Sequence, residues 1–104
     1  MTKQEANKIK KILRKENAVF GCTAGYYDGA ELRVKVAEFM ERSTYEGATI
    51  TRTPAEQKKR ETLANTGKVL LALSKNGMRP EYRTEQRETS NEFGTFDTRY
   101  VIFK

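Results

Sequence analysis

Residues 28–36 read Asp28-Gly29-Ala30-Glu31-Leu32-Arg33-Val34-Lys35-Val36. The last six alternate strictly, with Leu32, Val34 and Val36 turned to a core and Glu31, Arg33 and Lys35 turned to water. That is the period-two signature of a half-buried strand. Asp28-Gly29 just before it signals a hairpin, because both turn positions tolerate positive φ. The segment on the other side of the turn, residues 18–27, is rich in small, β-branched and aromatic residues. Beyond the strand, Phe39 and Met40 break the alternation, which predicts a bulge or the strand end. Glu46-Gly47 offers a second turn into a short third strand over residues 48–52.

Helices flank this sheet. Residues 2–17 carry Ala6, Ile9, Ile12 and Leu13 at helical spacing, with Thr2 and Glu5 as a capping box. Thr53-Pro54-Ala55-Glu56 marks the second helix: Thr53 as N-cap, Pro54 at the first helical position, Glu56 closing a second box. It is expected to run to about Asn76, with Gly77 as a left-handed stop. Leu63, Gly67, Leu70 and Leu71 suggest its buried stripe, and Val69, Ala72 and Leu73 make its second half apolar nearly all round. Gly67 costs about 1 kcal/mol against alanine inside a helix, which points to close approach of another element. Tyr82, Thr84 and Gln86 alternate with charges and predict a polar edge strand. A loop follows at residues 90–94, and residues 98–103 form a last strand with high strand preference. The fold class is α+β, with two helices on one face of a small, mainly antiparallel sheet, in the order α-β-β-(β)-α-β-β, and residues 1–104 as a single domain.

Composition narrows the chemistry. The chain has no histidine and one cysteine, Cys22. An intrachain disulfide is impossible, and a usual tetrahedral zinc site lacks its ligands. Cys22 sits in an apolar segment and reads as a small core side chain. Asp28, Glu56 and Glu5 are taken up by turn and cap roles, and nothing marks the spacing of the glutamates in residues 81–92 as catalytic or metal-binding. No phosphate-loop or dinucleotide glycine motif is present. No catalytic residue, metal or cofactor is therefore expected, and the residue set does not support an enzyme. Met1 to Glu5 show no apolar signal region, and no run approaches membrane-spanning length. The expected address is the cytoplasm.

Charge is the informative quantity. The net value is +6, and it is unevenly spread. Residues 1–17 carry six Lys/Arg against two acids, and residues 52–79 carry seven against two; the other two segments are slightly acidic. Both basic segments are the expected helices. Lys8, Lys11, Arg14 and Lys15 project from the first, while Lys58, Lys59, Arg60 and Lys68 come from the second. If both helices share one side of the sheet, their outer surfaces form a single positive layer suited to phosphates. The order of helix, strands and a second helix with a basic start resembles that of the double-stranded-RNA-binding domain, which implies phosphate contacts from the same places. The Lys-Lys-x-Ala-Lys pattern of that family is not met, since Arg60, Glu61 and Thr62 follow Lys58-Lys59, and the last 25 residues have no counterpart.

The expectation is a small non-enzymatic protein binding DNA or RNA non-specifically, through phosphates rather than base edges. The alternative is an inhibitor or adaptor of the kind mobile elements encode, docking on an acidic surface of a larger, nucleic-acid-handling enzyme. Phe93 and Phe96, in a loop with Gly94, are its candidate anchors. A solvated face kept basic for solubility accounts for the same charges. The exposed edge of a terminal strand would allow pairing with a second chain.

Overall fold

A computed structural model of the chain describes residues 1–21, 25–43 and 52–104. Helix α1 (Lys3–Lys15) precedes strands β1 (Tyr26–Asp28) and β2 (Glu31–Ser43). Helix α2 (Ala55–Lys75) follows, then β3 (Tyr82–Asn91) and β4 (Gly94–Phe103). The described strands form one antiparallel sheet in the order β1-β2-β4-β3. This is the α+β arrangement expected. The expected short strand at 48–52 falls largely outside the described residues, as does Cys22. The sheet's inner strand β4 comes after α2, in the segment without a counterpart in the double-stranded-RNA-binding domain.

Both helices lie on one side of the sheet. Ala6, Ile9, Ile12 and Leu13 of α1 pack with Val69, Ala72 and Leu73 of α2 over Leu32, Val34, Val36, Val101 and Phe103. Each large apolar side chain so buried stabilises the fold by about 1.5–3 kcal/mol before entropy is counted. The hairpin forms one residue later than the dipeptide suggested. Asp28 pairs with Glu31, so Gly29-Ala30 is the connection. Gly29 takes φ +65°, and the Ala30 N–H reaches back to the Asp28 carbonyl at 2.7 Å, closing a γ-type turn.

The broken alternation in β2 is a pair of bulges, between Lys35 and Ala37 and between Met40 and Arg42. The first frees the Val36 carbonyl from the ladder, and Asn65 of α2 donates its side-chain N–H to it at 2.6 Å. The second drops Glu41 out of register with β4. The long terminal hairpin is tighter than expected: β3 runs to Asn91, the chain turns through Glu92-Phe93, and β4 starts at Gly94.

Helix ends follow simple chemistry. The Thr2 hydroxyl accepts from the Glu5 N–H at 3.2 Å. At the far end Asn17, at φ +53°, and Ala18 return N–H groups to the Arg14 and Leu13 carbonyls. Gly77, at φ +75°, and Met78 do the same for Ser74 and Leu73 in α2. Both are Schellman closures, and Gly77 is the left-handed stop expected. The start of α2 differs from expectation. Pro54, not Thr53, is the N-cap residue, and no side chain caps it.

The burial of α2 departs most from the apolar pattern. Leu63 and Leu71 are 61% and 57% exposed. Gly67 faces open space: a methyl group added there would meet no described atom within 4 Å, so no described element approaches it. The inward face in the first half of α2 is Lys58, Thr62 and Thr66. The Thr62 hydroxyl donates to the Lys58 carbonyl and that of Thr66 to the Thr62 carbonyl, each at 2.7 Å. These hydroxyls satisfy themselves within the helix and so can face the sheet in place of leucines.

Candidate nucleic-acid interface

Lys58, Lys59 and Arg60 do not form one cluster. Consecutive helical residues point about 100° apart, and the three go to three places. Lys58 is only 9% exposed. Its ammonium pairs with Glu41, lies 3.7 Å from Asp97 and sits 5.9 Å from the centroid of the Phe39 ring. Arg99 completes the group with two hydrogen bonds of 2.9 Å to the Asp97 carboxylate. The expectation that Lys58 reaches a phosphate is corrected by this. Glu41, brought inward by the second bulge, and Asp97 on β4 make it the ion that fastens the start of α2 to the sheet. Lys59 lines a groove between α2 and β3, and Arg60 is exposed.

On α1, Lys8, Lys11 and Lys15 recur at spacings of three and four and stand in one exposed row opposite Ala6, Ile9 and Leu13, which are completely buried. Arg14 is exposed to one side of that row. Lys68 and Lys75 of α2 line a shallow depression of about 280 Å³ with Glu16, Asn17 and Ala18 at the end of α1. Lys68 thereby lies beside the residues that close the C-terminal end of α1. Lys75 is an addition to the expected set; its spacing of seven from Lys68 places it on the same side of α2. The acids of this layer are Glu5, Glu16, Glu56 and Glu61. Glu16 accepts from Asn76 at 3.4 Å and Glu61 from Gln57 at 3.0 Å, and among the described residues neither forms an ion pair with a lysine.

Cations on the opposite side of the sheet behave differently. Arg33 pairs with Glu85 at 3.1 Å, Lys35 with Glu38 at 3.0 Å, Arg83 with Glu31 at 2.8 Å, and Arg87 with Glu85. The Arg83 hydrogen bonds hold the Glu31 carboxyl below its ordinary value, and Glu31 in turn raises Arg83. Arg87, then Arg33, lower Glu85 in the same sense. Among the described residues, none of Lys8, Lys11, Arg14, Lys15, Lys59, Arg60, Lys68 and Lys75 takes part in an ion pair. The outer face of the sheet pairs these four cations, and the outer face of the helices leaves those eight without an ion pair.

The two phenylalanines of the alternative reading separate. Phe93, at the tip of the β3–β4 hairpin, is 59% exposed. Phe96 is half-buried in β4 between Met40 and Thr89. Among the described residues, no group of three His, Cys, Asp or Glu is placed to hold a metal, and no helix is long and apolar enough to cross a membrane. No family model, no curated protein and no solved structure matches the chain.

Proposed function

We propose that the chain is a small non-enzymatic protein that binds the phosphate backbone of nucleic acid through the outer surface of its helix layer. One observation carries this reading: among the described residues, Lys8, Lys11, Arg14, Lys15, Lys59, Arg60, Lys68 and Lys75 of the helices form no ion pair, whereas Arg33, Lys35, Arg83 and Arg87 of the sheet do. The contacts come from Lys8, Lys11 and Lys15, with Arg14, Lys68 and Lys75 extending them and Arg60 at the margin. Unpaired ammonium groups near the surface of one layer raise the local potential and attract polyanions. Such contacts carry no sequence information, so binding is non-specific and falls steeply with salt.

The test is retention on duplex and single-stranded oligonucleotides at low salt. Lys8→Ala/Lys11→Ala/Lys15→Ala should lose it while remaining folded, because all three side chains are exposed. Retention equal to the parent's would refute the reading. Exposed Phe93 supports the second reading, a protein-docking adaptor. On that reading Phe93→Ser abolishes capture of an acidic partner, and the lysine variants do not.

A further inference from the structure

Among the described strands, β3 ends the sheet on one side. It is ten residues long, pairs with β4 from Tyr82↔Phe103 to Asn91↔Gly94 without a break in register, and contains no proline. At about 3.4 Å per residue its open edge runs about 34 Å. The other edge, β1, has only three residues. Short strands, bulges, proline and charged side chains are the ordinary protection of a sheet edge; β3 has only the last, Arg83, Glu85, Arg87 and Glu88, and their signs alternate along the strand. Beside it, on the helix side, a groove of about 420 Å³ lies between α2 and β3. Leu63, Thr66, Tyr82, Thr84 and Gln86 line it, and Leu63 and Tyr82 leave apolar surface open to water.

The charge order along β3 favours one occupant. We infer that the β3 edge pairs with β3 of a second copy of this chain, antiparallel about a two-fold axis at Thr84. In that register Arg83 stands opposite Glu85 of the second copy and Tyr82 opposite its Gln86, while Glu81, one residue before the strand and with its carbonyl accepting from the Lys104 N–H at 3.3 Å, stands opposite its Arg87. Each opposition occurs twice by symmetry. A register centred on Glu85 or on Arg87 sets like charges against each other at the axis. One centred on Gln86 makes half as many opposite-charge oppositions, because only Glu85 and Arg87 then meet. Arg83 and Glu85 are already aligned on the outer face by Glu31, Arg33 and Arg87, so the new neighbours extend an existing network. Residues opposed in this register point to the same face. The helices of both copies therefore lie on one side of an eight-stranded sheet. The two grooves meet there, and Leu63 and Tyr82 of each copy are covered. The basic layers of both copies also become neighbours, although the pairing does not depend on phosphate binding.

Sedimentation equilibrium of the full chain, free of nucleic acid and at high salt, tests this. A species of twice the 12.0 kDa chain mass is expected. Leu63→Lys and Thr84→Lys each place charge in the buried seam and should return the chain to monomer, with circular dichroism unchanged because both residues are exposed in the single chain. Leu71→Lys, equally exposed but on the flank of α2 near Asn17 and Ala18, should leave the dimer intact. Thr84→Cys in a Cys22→Ala background should give a disulfide-linked dimer on oxidation, since the axis opposes that residue to itself. A 12.0 kDa species at every concentration would overturn the inference. So would a dimer that survives both Leu63→Lys and Thr84→Lys, or one that does not cross-link through Thr84→Cys.

Discussion

Replacing Lys58 by methionine separates a structural lysine from a phosphate-binding one. Methionine keeps most of the side chain's length and its contact with Phe39 but removes the charge. Among the described residues, Glu41 then retains the exposed Arg52, at 3.9 Å, and Asp97 retains Arg99. Removing one partner of a buried pair costs about 3–5 kcal/mol, because the remaining charge stays desolvated. Arg99 compensates Asp97, so about 3 kcal/mol is expected here. For a domain of this size each kcal/mol lowers Tm by roughly 4–8 °C, which gives a fall on the order of 12–24 °C. Urea unfolding followed by circular dichroism measures the loss. Arg60→Met, two residues away and exposed, should stay within about 0.5 kcal/mol of the parent. Lys58→Met/Glu41→Leu should recover part of the loss, since it removes the orphaned carboxylate. A loss below about 1 kcal/mol, typical of surface pairs, would refute the burial argument. So would a Lys58→Met variant that folds normally but no longer binds oligonucleotides.

Other substitutions test the backbone and the sheet face. Gly67→Ala should stabilise the fold by about 0.5–1 kcal/mol, because α2 gains helix propensity and the new methyl meets nothing; a loss of stability would mean that something covers that position. Gly25→Ala should destabilise by more than about 1 kcal/mol, since the residue sits at φ +136° and a Cβ would meet Leu32 Cδ1 at 3.2 Å and the Arg33 carbonyl at 3.3 Å. An unchanged urea midpoint would contradict the backbone geometry. Glu31 and Glu85 have folded-state values below their unfolded ones. Their contribution is therefore present above the ordinary carboxylate range, near about pH 4, and is lost as pH falls through the lowered folded values. Thermal melts of Glu85→Gln should show a shallower acid limb than the parent; identical limbs would show that the Arg33 and Arg87 pairs contribute nothing.

Strong local patterns were legible in the sequence. The alternation of residues 31–36, the helical spacing from Ala6 to Leu13 and the left-handed Gly77 each matched the fold, because each has one cheap solution. The burial of α2 was not legible. Leu63 and Leu71 carry the apolar pattern, but the face against the sheet is set by the bulges of β2, which deliver Val36's free carbonyl to Asn65 and the Glu41 carboxylate to Lys58. Those contacts join residues far apart in the chain, and no local spacing announces them. The same long-range pairing removed Lys58 from the basic cluster. Lys8, Lys11 and Lys15 needed only helical geometry, so their shared row could be read directly.

The slope of log K against log salt for duplex DNA most directly tests phosphate binding by the helix layer. Each phosphate neutralised contributes about 0.9 to that slope. Lys8→Ala/Lys11→Ala/Lys15→Ala should therefore flatten it by about 2.7, whereas Lys58→Met, measured where it remains folded, should leave it unchanged. A slope unaltered by the triple substitution would contradict the placement of the site on α1.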